Sequence, residues 1–346
     1  MKSLSLVDRE KFEIVEKKTP EINDNQVLVK VAYCGVCGSD LDRYFKGKVH
    51  YFPVTLGHEF SGTIQQIGSN VKKYKVGDKV TAAPLVPCGT CEYCERGEYS
   101  HCAQYSFIGS RQDGAMAEFV AVNEENIVAL PSNVTLKEAA LIEPLTVALH
   151  GVERLKMAAG SDVLIFGAGT IGMMTLLSVK ALGAGKITVI DLNEEKLTKA
   201  KNLGADEIIN PIKTDLDAYF EKVGNPDIVF ETAGASQTQL QSIEYVRHLG
   251  KVVFIGTATK DVNFAPKLFE QILRKEIIVT GSWMSYSAPF PGYEWEAGLN
   301  YISKGKIDVK PLISEIFKLE DKNKPFDRMI DVELPSIKYL YEINPN

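Results

Sequence analysis

The sequence predicts an α/β chain of two domains, one mostly β and one built on a doubly wound parallel sheet. Three observations carry this. Short strand candidates punctuated by glycine and proline fill the first 140 or so residues, and near Glu143 the texture changes to alternating strands and helices. The run Gly167-Ala168-Gly169-Thr170-Ile171-Gly172 stands where the first of the later strands meets its helix. At 346 residues the chain is also too long for one ordinary core and suits two.

In the first domain, residues 27–31, 60–64 and 79–81 are strand candidates, and Gly77-Asp78 supplies a turn before the last of them. A compact barrel or sandwich is expected. Residues 145–156 then show helical apolar spacing. Strand candidates follow at 163–166, 186–190, 207–209, 227–230, 251–255 and 276–280, and six strands in a β-α-β series indicate a doubly wound parallel sheet. Residues 171–182 are apolar on most sides, as a buried crossover helix is. After Gly281 the pattern breaks into an aromatic loop, 283–295, and then a helix-like stretch, 296–303. The C-terminal segment is expected to return to the first domain, giving a split domain of residues 1–144 and 285–346 around an inserted domain of residues 145–284.

Composition narrows the function. The formal net charge is −6 with both signs scattered along the chain, which excludes the basic face that nucleic-acid binding needs but leaves room for an anionic small substrate. No run of about 18 apolar residues occurs, so no membrane-spanning helix is expected. Residues 1–12 mix charged and apolar side chains without the apolar core of a secretory signal. In such a chain, clustered Cys-x-x-Cys spacing points to metal rather than disulfides, and to a cytoplasmic location.

The glycine run is a G-x-G-x-x-G in an informative context, since it follows a strand ending at Phe166 and opens an apolar helix. Gly167 allows the tight turn, Gly169 lets the backbone approach a pyrophosphate, and Gly172 lets helix and strand pack closely. The helix start at Thr170 and Ile171 offers free N–H groups and a partial positive charge to the phosphates. Asp191 ends the next strand, where its carboxylate would accept hydrogen bonds from the ribose hydroxyls. It would also repel a 2′-phosphate, by about 4 kcal/mol at close range in an intermediate dielectric. With no arginine at positions 192–195, NAD is favoured over NADP. The competing role for Asp191 is a helix N-cap.

Cys88-x-x-Cys91-x-x-Cys94, followed after seven residues by Cys102, is the most specific signal in the chain. Four thiolates at this spacing can wrap a zinc tetrahedrally and leave no open position, which makes the site structural. An iron–sulfur cluster is the chemical alternative. A second constellation lies in Cys37-Gly38-Ser39-Asp40, Gly57-His58-Glu59 and Glu143-Pro144. A thiol, an imidazole and carboxylates are the ligands a catalytic zinc takes. Cys34 is read as a small buried residue ending a strand, against a second Cys-x-x-Cys redox reading.

Together these features resemble the zinc-dependent medium-chain dehydrogenase/reductase family over essentially the whole chain. That family pairs a GroES-like, mostly β catalytic domain with a Rossmann domain. Glu143-Pro144 is similar to the polyol dehydrogenase branch, where a glutamate replaces one cysteine ligand. The more particular similarity lies in Thr55-Leu56-Gly57-His58-Glu59-Phe60-Ser61-Gly62, Phe107-Ile108-Gly109-Ser110-Arg111 and Gly281-Ser282-Trp283-Met284, and it extends through Tyr286, Pro289, Pro291-Gly292 and Glu294-Trp295-Glu296.

The resemblance implies that Cys37, His58 and Glu143 hold the catalytic zinc, with Glu59 as an exchangeable ligand or an outer carboxylate, and that Ser39 takes the substrate's proton. Several relatives end the proton relay on a histidine five residues after the cysteine. This chain has Asp42 there, so Asp42, a ribose hydroxyl or water finishes it. The implied enzyme uses NAD and two zinc ions per chain, one catalytic and one structural. It oxidises a polyol phosphate to a ketose phosphate, most narrowly galactitol 1-phosphate to L-tagatose 6-phosphate, by hydride transfer from the zinc-held alcohol. A free polyol (sorbitol or xylitol) or a pentitol phosphate is the alternative, and a non-catalytic zinc and nucleotide binder the rival from another class. Arg111, with Arg43, Lys46 and Lys48 behind it, is the candidate cation for a phosphate, and Trp283 and Tyr286 are candidate pocket walls. A homo-oligomer, dimer or tetramer, is implied, meeting through the last strands of the Rossmann sheet.

Overall fold

In the computed structural model, which describes residues 1–331 and 334–344, the chain divides into two compact units. One comprises Met1–Glu143, Tyr286–Gly305 and the stretch from Val309 onward; the other comprises Pro144–Ser285 with Lys306–Asp308.

The first unit is organised on one long strand, Gln26–Gly35. The strand Glu59–Ile67 pairs antiparallel along one side of it, while Phe119–Asn123 and Lys338–Glu342 share the other side end to end. The sheet continues through Lys79–Ala82 to Ile127–Ala129 at one edge and to Ile313–Phe317 at the other. Gly77 turns the chain into Lys79–Ala82 at a φ of +95°, where glycine escapes the Cβ clash of other residues. A smaller sheet of Lys11–Glu16, Lys2–Asp8 and Val54–Thr55 packs nearby, so that Leu4, Leu6, Val54 and Leu56 join Val27, Val29, Val31 and Phe60 in one core. Two register shifts in the pairing of Gln26–Gly35 with Glu59–Ile67 mark bulges, which bend paired strands.

The second unit holds six parallel strands in the spatial order Glu207–Ile209, Ile187–Ile190, Val163–Phe166, Ile228–Glu231, Lys251–Phe254, Ile278–Gly281. This is the 3-2-1-4-5-6 order of a dinucleotide-binding sheet, with its switch point between the first and fourth strands in sequence. Ile187–Ile190, Val163–Phe166 and Ile228–Glu231 are buried at every position, because helices cover both faces of a parallel sheet. Helix Thr170–Ala181 is buried on nearly all sides and supplies the first crossover.

Two elements differ from expectation. The helix expected at 145–156 is Ile142–Leu155, which places Glu143 inside its first turn. Pro144 is tolerated there because the first N–H groups of a helix have no intrahelical acceptor. The aromatic loop ends at Gly292, and Glu294 and Trp295 belong to helix Tyr293–Ser303. Among the described residues, no helix is long and apolar enough to cross a membrane.

Trp295 is the largest fully buried side chain, and it anchors that helix in the first unit. Trp295→Ala is expected to cost about 3–5 kcal/mol, read as a lower urea midpoint for the transition followed by tryptophan-independent circular dichroism. An unshifted midpoint would show that the helix contributes little to the unit.

Candidate active site and nucleotide site

Strand register builds the first cluster. Gly35 pairs directly with Glu59 across the two long strands, so Cys37, two residues beyond one, meets His58, one residue before the other. One ligand atom each from Cys37, His58 and Glu59 lies within 4.8 Å of the others. His58 and Glu59 are buried, and Cys37 is partly open. A Cβ on Gly35 would fall on the Glu59 carboxylate, and one on Gly57, at a φ of +99°, would strike Cys34 and Met116. Both positions therefore require glycine for the cluster to close. Cys37 is the N-cap of helix Gly38–Lys46, and the carboxylate of Asp40 accepts its N–H at 3.2 Å.

The donor set fits a zinc-type cation: a thiolate, an imidazole and a carboxylate in a mostly buried pocket. Nδ1 of His58 is buried without a hydrogen-bond partner among the described residues. Burial pushes the Cys37 thiol up to about 11, with the Glu59 charge adding to it. Burial likewise pushes Glu143 up to about 8, against the opposing pull of His58 and with Glu59 and Cys37 adding to the rise. These same neighbours place Glu143 in the field of the cluster, although its carboxylate is outside the tight group of three. Binding a divalent ion would strip these protons, so uptake is coupled to proton release.

Cys88, Cys91, Cys94 and Cys102 bring their sulfur atoms within 4.8 Å of one another as free thiols. The lobe folds around a short helix, Glu92–Glu95, and packs on the first unit through Tyr99 against Phe290 and Gly97 against Ala288. Burial pushes Cys94 up to about 12, while hydrogen bonds from Thr90 bring Cys88 down to about 6. Four convergent sulfurs with no other donor fit a closed, tetrahedral structural site. Cys34 joins neither cluster; it is buried, with its thiol on the Gly35 carbonyl.

In the second unit, Gly167 turns the chain at a φ of +94°, and a Cβ on Gly172 would collide with the Gly167 carbonyl. A Cβ on Gly169 would meet nothing within 4 Å, which leaves open space at the start of helix Thr170–Ala181, where Thr170 and Ile171 form the first turn. Asp191 accepts the Ala168 N–H at 2.6 Å and the Asn193 N–H at 2.8 Å, which holds its carboxylate at the mouth of the loop. The following helix is capped by Asn193 instead, so Asp191 is not spent as its N-cap.

The remaining expected residues scatter. Arg111 is exposed on a turn whose Phe107 ring stands 5.5 Å from that of His58, and its guanidinium lies 4.1 Å over the ring of Tyr105. Lys46 and Lys48 are both spent on Asp42, at 2.7 and 2.6 Å, and their hydrogen bonds hold its carboxyl below the usual range. Trp283 is exposed in the second unit. Tyr286 is buried, stacked with Phe290 and Trp295, and its hydroxyl accepts the Leu85 N–H at 3.2 Å. That places Tyr286 in packing rather than on an open wall.

Two side chains, Lys338 and Asp40, have no assigned role in the sequence reading, and a third, Arg43, stands there only as a candidate cation for a phosphate. Lys338 is buried and donates to both oxygens of Glu59, at 2.9 and 2.7 Å, and to the Val36 carbonyl at 3.0 Å. Burial works against its charge, but Glu59 carries its pKa above the usual lysine value. Asp40, fully buried, lies 3.7 Å from His58 Nδ1. Arg43 donates to Asp40 at 2.7 Å and to Ser39 Oγ at 2.8 Å. The only sequence signal for Lys338 is a lysine in an otherwise apolar run, Ile337 to Tyr341, which an alternating strand explains equally well.

Known proteins match both units. Residues 23–132 match the alcohol dehydrogenase GroES-like domain and residues 170–302 the zinc-binding dehydrogenase domain. Galactitol 1-phosphate 5-dehydrogenase of Escherichia coli K12 is 41% identical over 87% of this chain and 88% of its own. D-arabitol-phosphate dehydrogenase of Enterococcus avium is 34% identical over 96% and 94%, and sorbitol dehydrogenase of Bacillus subtilis 32% identical over 100% and 98%. The crystal structure of galactitol-1-phosphate dehydrogenase from Escherichia coli superposes with a TM-score of 0.94 at 38% identity, over 99% of this chain and 100% of that one. A zinc-binding dehydrogenase from Sinorhizobium meliloti bound to NADP (TM-score 0.90, 29% identity, 99% and 98% covered) and an Escherichia coli alcohol dehydrogenase complexed with NADH (0.91, 27%, 99% and 99%) share the fold. The chain therefore belongs to the zinc-type polyol dehydrogenases of the medium-chain dehydrogenase/reductase family, an oxidoreductase with a GroES-like and a Rossmann domain.

Proposed function

We propose that this polyol dehydrogenase oxidises galactitol 1-phosphate to L-tagatose 6-phosphate with NAD. The observation that carries the reading is the cluster of Cys37, His58 and Glu59 beside an exposed Ser39 hydroxyl, in a chain 41% identical to an enzyme of that name. Cys37, His58 and Glu143 would hold the catalytic zinc, and Cys88, Cys91, Cys94 and Cys102 the structural one. When bound, zinc supplies Lewis acidity toward a substrate hydroxyl, and NAD supplies the hydride acceptor. Ser39 Oγ accepts the hydroxyl proton as its own O–H proton passes on to water, so that it acts as a relay. Lys338 neutralises Glu59 and holds it beside the ligands, where a free carboxylate would otherwise be unpaired and buried.

Asp191 selects the cofactor. Its carboxylate suits ribose hydroxyls and repels a 2′-phosphate, so NAD is preferred to NADP. Gly167, Gly169, Thr170, Ile171 and Gly172 cradle the pyrophosphate. Arg111 is the cation for the substrate phosphate: it is exposed on the turn that carries the Phe107 ring against His58, while Lys46 and Lys48 are engaged by Asp42 and Arg43 by Asp40.

The protein acts as a homo-oligomer, with a second copy covering the last strand of the parallel sheet. Edge strand Ile278–Gly281 exposes Ile278 and Val279, and helix Pro266–Arg274 exposes Phe269 and Leu273 and buries no residue. An open edge flanked by apolar side chains favours pairing with another chain.

The function is tested by NADH formation with zinc-loaded protein on galactitol 1-phosphate, D-arabitol phosphate, galactitol and sorbitol. Turnover confined to galactitol 1-phosphate is expected; equal turnover on the free polyols would discard the phosphate site. Arg111→Ala should raise KM for the phosphate substrate roughly tenfold or more, with kcat little changed. Cys37→Ser should abolish turnover and remove about one zinc per chain by elemental analysis, leaving the four-cysteine site filled; full turnover in this variant would refute the metal assignment. Ile278→Lys should lower the mass measured by light scattering to that of a single chain, whereas an unchanged mass would place the contact elsewhere.

A further inference from the structure

Arg43 lies one turn along helix Gly38–Lys46 from Ser39, the i,i+4 spacing that brings two side chains onto one face. Its Nη1 alone reaches two acceptors, Ser39 Oγ at 2.8 Å and Asp40 Oδ1 at 2.7 Å. Asp40 is fully buried; its other oxygen accepts the Cys37 N–H, and Oδ1 lies 3.7 Å from Nδ1 of His58. One guanidinium nitrogen thus ties an exposed hydroxyl to the carboxylate that braces Cys37 and faces His58. Arginine has donors only and keeps its charge, so its bond occupies a lone pair of Ser39 Oγ and leaves the O–H free to donate, to the Cys37 sulfur or to a substrate, and one lone pair free to accept. Asp42, the other carboxylate on this helix besides Asp40, is held by Lys46 and Lys48.

We propose that Arg43 is a positioning residue that fixes the Ser39 hydroxyl against Asp40, so that Ser39 meets the substrate hydroxyl in one orientation. The inference rests on the role given to Ser39 above. It assigns Nη1 of Arg43 to Ser39 and the buried Asp40, and leaves Arg111 as the cation argued for the phosphate.

The test is a double-mutant cycle in the zinc-loaded enzyme, using Ser39→Ala, Arg43→Ala and the pair, with NAD and galactitol 1-phosphate or whichever polyol the wild type turns over. Arg43→Ala is expected to lower kcat roughly tenfold to a hundredfold, with zinc content and KM for NAD unchanged. The double variant should be no slower than Ser39→Ala alone, as groups acting as one unit are. Added guanidinium ion should restore part of the activity of Arg43→Ala and none of that of the double variant. Losses that multiply, or loss of zinc from a folded Arg43→Ala, would overturn the proposal. If Arg43→Ala does not fold, the cycle is run with Arg43→Lys, which keeps the charge opposite Asp40 but lacks the planar fork, and the same non-additivity is required. Full activity of Ser39→Ala would instead refute the Ser39 role itself.

Discussion

The site depends on one cross-strand pairing, Gly35 opposite Glu59, and on the lysine that makes a carboxylate tolerable there. A register slip of one residue would turn Glu59 to the other face of the sheet and separate Cys37 from His58. Within that register, Glu59 is buried beside a thiol and an imidazole, an environment that penalises its charge. Lys338 answers it with two hydrogen bonds from the strand on the far side of Gln26–Gly35. Breaking such a buried pair by removing one partner costs about 3–5 kcal/mol, because the other charge is left uncompensated. The C-terminal strand is thereby part of the active-site scaffold.

Charge is handled in the same way on the other side of the cluster. Asp40 is buried at the start of helix Gly38–Lys46, where the helix dipole and the Cys37 N–H favour an anion, and Arg43 supplies the counter-charge from the next turn. Two carboxylates, Asp40 and Glu59, thus lie against Cys37 and His58, each matched to one cation. The nucleotide loop follows a different logic, set by sterics: Gly167 and Gly172 exclude a Cβ, Gly169 leaves open space, and Asp191 is held in place by backbone N–H groups.

Features whose parts are close in sequence could be read before the structure. The glycine loop and its strand and helix span one short stretch, and the periodicity on either side identifies them. The four cysteines lie within residues 88–102, and thiolates at that spacing have few uses other than metal binding. The three central parallel strands, 163–166, 187–190 and 228–231, were recognisable because burial on both faces makes them nearly uniformly apolar, and the others by their place in the β-α-β series. Glu143 was named as a candidate ligand by resemblance, but its place in a helical first turn was not legible, because Pro144 reads equally as a break or as a helix start.

Lys338 and the packing of Tyr286 could not be read in this way. Lys338 is separated from Glu59 by 279 residues, and a lysine in a strand is by default a solvated one. The sequence by itself determined the two folds, the nucleotide loop, the cysteine lobe and the identities of the candidate ligands, since each is encoded by local pattern or by short-range spacing. Only the tertiary structure decided which charges are paired, namely Lys338 with Glu59, Arg43 with Asp40, and Lys46 and Lys48 with Asp42. The reason is physical: a charge's partner depends on distance and burial in three dimensions, and neither is written in the order of residues along the chain.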